Sequence, residues 1–163
     1  MTVTHIEDKR KALNDAIDNS LTNEVLVHIP IEPVPKGRPR ITVRGGYARA
    51  YTPAKTAQFE AAAATFIRSY WRSLDPMVGP VAMEITVCRS RPKRLCRKKD
   101  PDGAIPCDTK PDIDNFVKAI LDASEKAQVF ANGDQQVWQL TVMKMWAPKG
   151  QSGFTLVKYI YQK

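Results

Sequence analysis

The feature that most constrains the fold of this chain is a repeated change of hydrophobic period. Glu24 to Ile31 sets Val25, Val27, Ile29 and Ile31 against Leu26 and His28, the alternation of a strand. Val81 to Cys88 alternates in the same way, and Val137 to Trp146 and Phe154 to Tyr161 read as two further strands. Ile41 to Val43 and Tyr47 to Tyr51 flank Arg44-Gly45-Gly46, a hairpin signal, because glycine supplies the positive φ that a tight turn requires. Between these runs the period becomes helical. Thr52-Pro53 opens a helix, with threonine able to cap it and proline tolerated in its first turn. That helix runs to about Arg72, with Phe59, Ala62, Ala63, Phe66, Ile67 and Tyr70 on its inner side. Another starts near Asp112 and carries Phe116, Val117, Ile120 and Leu121. The order β-ββ-α-β-α-ββ predicts an α/β domain of the α+β type, a mixed β-sheet with helices packed on one face. Pro148-Lys149-Gly150 to Gly153 predicts that the last two strands pair as an antiparallel hairpin. Residues 6–18, with Ile6, Ala12, Leu13, Ala16 and Ile17 among charges, predict a short amphipathic helix. Residues 1–23 then form an extension to a main domain at 24–163.

A chain of 163 residues suits one such domain, which buries roughly two thirds of its unfolded surface and needs no disulfide to fold. Its formal charge of +8 favours a polyanionic partner such as nucleic acid, although a merely basic soluble domain carries the same signal. No run approaches the roughly 20 apolar residues of a membrane span, and Met1 to Ser20 is too polar for a secretory signal. The expectation is a cytoplasmic protein with no membrane partner. Cys88, Cys96 and Cys107 match no zinc spacing and read as free thiols of a reducing compartment. His5 and His28 lie far from each other and from every acidic cluster, which argues against a zinc site or a histidine relay.

The chemistry concentrates in Lys110-Pro111-Asp112-Ile113-Asp114-Asn115-Phe116-Val117-Lys118. Asp112 and Asp114 stand where an extended segment turns into a helix, so their side chains can converge. Paired hard oxygens are what Mg²⁺ needs, with water and phosphate oxygens completing its octahedron. Lys118 lies four residues beyond Asp114, on the same helical face, where it could hold a phosphate. The plain alternative is an aspartate that caps the helix and a surface ion pair worth about 0.3–0.5 kcal/mol. A calcium loop fails, because Phe116 and Val117 occupy positions that require an oxygen ligand and a glycine. Asp134 follows the Asn132-Gly133 turn just before a strand. A turn-and-strand return is expected to bring it beside Asp112, and three clustered carboxylates stay ionised only with a cation. Asp122, one turn beyond Lys118, reads as a partner of that lysine rather than a ligand.

Two basic blocks flank these acids. One holds Lys36, Arg38, Arg40, Arg44, Arg49 and Lys55, and the other Arg89, Arg91, Lys93, Arg94, Arg97, Lys98 and Lys99, with Lys110 at the edge of the acidic segment. Each could be a solvated face, but together they suit a groove for phosphate backbones. Few aromatics are interleaved in sequence, which favours duplex or branched DNA over a single-strand stacking platform.

Residues 110–122, Lys-Pro-Asp-Ile-Asp-Asn-Phe-Val-Lys-Ala-Ile-Leu-Asp, followed by Asp134-Gln135-Gln136-Val137, resemble the signature of the RusA family of Holliday junction resolvases. Ile31 to Arg40 and Tyr51-Thr-Pro-Ala-Lys55 are similar to the family's N-terminal half, and the likeness covers about residues 25–162. The resemblance implies a single RusA-like domain, a homodimer on four-way DNA junctions, and paired nicks made with Mg²⁺ or Mn²⁺. It implies Asp112, Asp114 and Asp134 as catalytic, metal-holding carboxylates and Lys118 as the essential lysine. Family members often show two acids before the Gln-Val pair; here Gly133 precedes Asp134, which carries the position alone. Lys36, Arg38, Arg40, Arg44, Lys55, Arg91, Lys93, Arg94 and Lys110 are the expected DNA contacts. A nuclease of flaps or forks, or a non-catalytic junction-binding module, would share these electrostatics.

Overall fold

The computed structural model describes residues 22–162. The expected helix over 6–18, and nearly all of the proposed extension, lie outside the described residues. In chain order the strands are β1 (Thr22–Ile29), β2 (Arg40–Arg44), β3 (Tyr47–Tyr51), β4 (Val81–Arg89), β5 (Ile105–Pro106), β6 (Val137–Trp146) and β7 (Phe154–Gln162). The helices of more than one turn are α1 (Ala54–Tyr70) and α2 (Ile113–Lys126). Five strands form one mixed sheet in the order β1-β7-β4-β6-β5, and β2 and β3 form a separate ribbon.

The topology follows from where α2 falls. β4 and β6 are parallel, and a parallel pair needs a crossover, which the 89–136 segment and its helix supply. β7 runs antiparallel to both β1 and β4 and lies between them. The expected β6–β7 hairpin is therefore absent. The Pro148–Gly153 connection carries the chain past β4 instead of folding it back on β6. The reason lies in β7 itself: Thr155, Val157 and Tyr159 are fully buried, a demand met by a central strand with neighbours on both sides.

Burial confirms the expected one-sided packing. Val27 and Ile29 of β1, Met83, Ile85 and Val87 of β4, and Val157 and Tyr159 of β7 share the core with Phe59, Ala63 and Ile67 of α1 and Phe116, Ile120 and Ala123 of α2. Register puts Val27 and Ile85 on either side of Val157, so one row of the sheet is apolar across three strands. Tyr159 keeps its hydroxyl in this core by a 2.6 Å hydrogen bond to Ser124 Oγ on α2, which also donates to the Ile120 carbonyl at 2.8 Å. The Trp71 ring, just past α1, meets Tyr159 edge-on at 5.0 Å. Thr52 does not cap α1: Pro53 holds the N-cap position, and no side chain bonds to the free amides there. The three cysteines are free, as expected.

Candidate active site

The head of α2 carries the acidic pair. Asp112 occupies the N-cap position with extended backbone angles, yet its side chain makes no capping bond. An aspartate placed only to cap would accept from the amides of the first turn, so the capping account fails for Asp112. Its carboxylate is exposed, as is that of Asp114 in the first turn. Lys118 Nζ lies 3.3 Å from Asp114 Oδ2, and both side chains are about 60% exposed. An ion pair this open to water contributes little to stability.

The segment leading into Asp112 is held from beneath by two cations at the ends of neighbouring parallel strands. Lys144 Nζ on β6 donates to the carbonyls of Thr109 at 2.7 Å and Pro111 at 2.9 Å. Arg89 on β4 donates to the Lys110 carbonyl at 2.9 Å, its guanidinium 4.8 Å from the centre of the Trp146 ring. Three consecutive carbonyls are thereby fixed, across a cis Lys110–Pro111 peptide. Lys144 did not stand out in the sequence as a site residue, and Arg89 stood there only as one member of the second basic block. The available signal was Lys144 itself, a lone charge in an otherwise uncharged strand.

Asp134 is not beside this pair. It begins a short 3-10 turn before β6, and its amide donates to Glu125 Oε1 at 3.0 Å. Glu125 is eleven residues past Asp114 on α2, which at 1.5 Å per residue sets it about 16 Å along the helix axis. The expected return does occur, but it is parallel. The chain descends the full helix before β6 starts, so Asp134 lands at the far end. Among the described residues no three acidic, histidine or cysteine side chains of one chain gather as a metal site. Asp112 and Asp114 still fit Mg²⁺: two exposed hard carboxylates, with solvent or phosphate oxygens for the remaining positions.

Two residues expected on the DNA surface are engaged within the protein. Lys36 Nζ is 2.7 Å from Glu60 Oε1 and 2.5 Å from Asp122 Oδ2, tying the first basic loop to both helices. Lys126 is a second partner of Glu60. Burial alone would lower the Lys36 ammonium's pKa, but its bonds to Asp122 and Glu60 outweigh that and hold it above the ordinary lysine value. Burial pushes the Glu60 carboxyl up, and the bonds from Lys126 and Lys36 bring it below the ordinary range. Asp122 thus partners Lys36, not Lys118 as expected. Arg91 is also engaged: its guanidinium donates to the carbonyls of Ala147 at 2.9 Å, Pro101 at 2.6 Å and Gly103, fastening the 90–104 segment to the sheet. Glu60 had no sequence signal beyond a charge inside an alanine-rich helix face.

The remaining expected contacts are open. Arg38, Arg40, Lys55, Lys93, Arg94 and Lys110 are exposed and take no carboxylate partner among the described residues. Arg44 ends β2. The Lys36 amide donates to the Asn115 carbonyl at 2.8 Å, which seats the first basic loop on the opening turn of α2. An open groove of about 490 Å³ follows that loop, with Arg38, Arg40 and Lys55 in its lining. The acidic pair therefore sits at the rim of a cationic surface.

The sequence matches the family described as Endodeoxyribonuclease RusA over residues 30–152, a span holding Asp112, Asp114, Lys118 and Asp134. The chain belongs to the RusA family. RusA membership gives its class of chemistry, cleavage within a DNA strand. A Bacillus subtilis (strain 168) protein, the uncharacterized YqaN, is 35% identical to it over 121 residues, covering 71% of this chain and 83% of that protein.

Proposed function

We propose that this RusA-family protein is a Mg²⁺-dependent endonuclease that resolves Holliday junctions by paired symmetric nicks, in DNA recombination and repair, and that it works as a homodimer. The observation that carries the reading is the head of α2. Two exposed carboxylates, neither used as a cap, sit on a segment whose carbonyls are locked by Lys144 and Arg89. Asp112 and Asp114 would hold Mg²⁺, with Mn²⁺ as a substitute. When bound there, the ion would supply Lewis-acid polarisation of the phosphate and lower the pKa of a bound water. Lys118, open to solvent beside Asp114, contacts the scissile phosphate and offsets the charge that develops there. Arg38, Arg40, Lys55, Lys93, Arg94 and Lys110 hold the junction arms through their phosphates.

A dimer explains why the third acid stands at the other end of the helix. β6 pairs with β4 along one side, while β5 covers only Met145 and Trp146 on the other. With the Lys144 carbonyl also taken by the Cys107 amide at 3.0 Å, residues 137–143 keep an open edge among the described residues, with Trp138 and Met143 each 53% exposed. Such an edge is a ready template for a further strand. Two β6 edges related by a two-fold axis would pair antiparallel, an isologous contact. The start of one β6, preceded by Asp134, would then lie against the end of the other, where Lys144 supports Asp112. Two such composite sites suit opposing strands of a two-fold junction.

Mixing two inactive chains tests this. Asp112→Asn and Asp134→Asn proteins should each fail to cut, and their mixture should recover cleavage, because one site in each mixed dimer has every acid intact. A mixture that stays inactive would refute the shared site, and full activity of Asp134→Asn alone would remove that residue from the chemistry.

A further inference from the structure

Among the described residues the β2–β3 ribbon is bound into no other sheet. Register pairs Arg40 with Tyr51 and Thr42 with Arg49, while Ile41 faces Ala50 and Val43 faces Ala48. Side chains alternate along a strand, and directly opposed residues share a face. One face therefore carries Arg40, Thr42, Tyr47, Arg49 and Tyr51, and the other Ile41, Val43, Ala48 and Ala50. The alternation of Tyr47, Arg49 and Tyr51 is plain in the linear order, but the register that sets Arg40 and Thr42 beside them is not.

The ribbon stands out from the body: Tyr47 is 77% exposed, Tyr51 44% and Ile41 71%. Its root, in contrast, is fixed. Gly37 N donates to Thr56 Oγ1 at 3.2 Å on α1, and the neighbouring Lys36 amide is held by Asn115 on α2. A Cβ at Gly37 would come within 2.9 Å of the Pro53 ring, so the chain passes too close to α1 for any side chain there. Gly45 and Gly46, with φ of 62° and 81°, close the tip. At about 3.4 Å per residue, strands of this length are roughly 17 Å long. A lone two-stranded hairpin is marginal in water, so a ribbon of this kind gains order from what it grips.

We infer that the Tyr47–Arg49–Tyr51–Arg40 face of the β2–β3 ribbon binds unstacked nucleotides of DNA, of the kind found where the arms of a branched molecule meet. The inference rests on the junction-cleaving reading above and adds the means by which a branch is told from a duplex. Charge selects the partner: from Gly37 to Phe59 the chain has no carboxylate against Arg38, Arg40, Arg44, Arg49 and Lys55. The tyrosines select its form. Intact duplex hides base faces in the stack and offers only phosphates to the arginines, whereas an unpaired nucleotide offers a phosphate and a π-face side by side.

The test uses the full-length protein with Asp112→Asn, so that binding is read without cutting. The probes are a four-way junction with a fluorescent base analogue at the branch point and a duplex of the same sequence. The Tyr47→Ala/Tyr51→Ala protein should bind the junction about tenfold more weakly or worse, as expected for loss of base stacking. It should also lose the fluorescence change at the branch while keeping its duplex affinity. Tyr47→Phe/Tyr51→Phe, which keeps the rings, should restore both, and that rescue separates stacking from damage to the ribbon. Equal weakening on junction and duplex, no weakening at all, or failure of the phenylalanine protein to recover would overturn the inference. So would a Tyr-to-Ala protein that changes its oligomeric state and not its DNA binding, because the ribbon would then be a protein contact. A wild-type protein that binds the branch through the ribbon but does not cut junctions would refute the nuclease reading and leave this one standing.

Discussion

Lys36 separates the structural account of the first basic loop from a purely electrostatic one. As a loop cation near the site it invites assignment to DNA, but its ammonium lies between Glu60, whose side chain is 2% exposed, and Asp122, which is 34% exposed. Lys36→Met keeps much of the side chain's length and removes both bonds. Asp122 can rehydrate. Glu60 cannot, and Lys126 alone remains to balance it. Removing one partner of a buried ion pair costs roughly 3–5 kcal/mol, and the surviving Lys126 contact brings the expected loss to about 2–3 kcal/mol. For a domain of this size that corresponds to a fall in Tm of about 5–10 °C. The second readout is the salt dependence of junction binding, where each phosphate contact contributes about 0.9 to the slope of log K against log[salt]. Lys36→Met should leave that slope unchanged, while Arg40→Gln should lower it by about one without altering Tm. A Lys36→Met protein that melts with the wild type and loses one unit of slope would refute the assignment.

Two further outcomes follow from the same geometry. The Glu60 carboxyl is held below its ordinary range, so its contribution to stability is complete above its unfolded value of about 4.3 and is lost as pH falls through the lower folded value. In acid melts the wild type should therefore lose stability more steeply than Glu60→Gln as pH drops below about 4.3, and parallel curves would contradict the network. Lys144→Met should free the Thr109 and Pro111 carbonyls and weaken divalent-ion binding about tenfold, the usual consequence of losing a group that supports a ligand. Calorimetry with Mn²⁺ in the absence of DNA reads this directly. An unchanged Mn²⁺ affinity would reduce Lys144 to a packing role.

Much of the fold was legible because the period changes are sharp. β4 alternates cleanly, and α2 places Phe116 and Ile120 on one face, so both were identifiable with boundaries within a few residues. Sheet order was not legible. The short Pro148–Gly153 link looks like a hairpin, and only the complete burial of alternate β7 residues, a tertiary property, reveals a central strand between β1 and β4. The same limit applies to the site. Asp112 and Asp114 are local in sequence and were found together, whereas the position of Asp134 depends on the direction of β6. A parallel strand puts it at the far end of α2, where an antiparallel return would have put it beside Asp112. Charges were the least legible feature. Lys36 and Arg91 look no different in sequence from Arg38 and Lys93, and only the buried Glu60 and the carbonyls of Pro101, Gly103 and Ala147 distinguish structural cations from free ones.

The central claim, that the head of α2 is a metal-dependent site for cutting branched DNA, is tested most directly by cleavage of a synthetic four-way junction beside a duplex of matched sequence, with and without Mg²⁺. The wild type should make symmetric nicks in the junction only, and only with the metal, while Asp112→Asn and Asp114→Asn should bind the junction undiminished and leave it whole. Tight junction binding with no cuts in either Mg²⁺ or Mn²⁺, or unchanged cleavage by both aspartate variants, would contradict it.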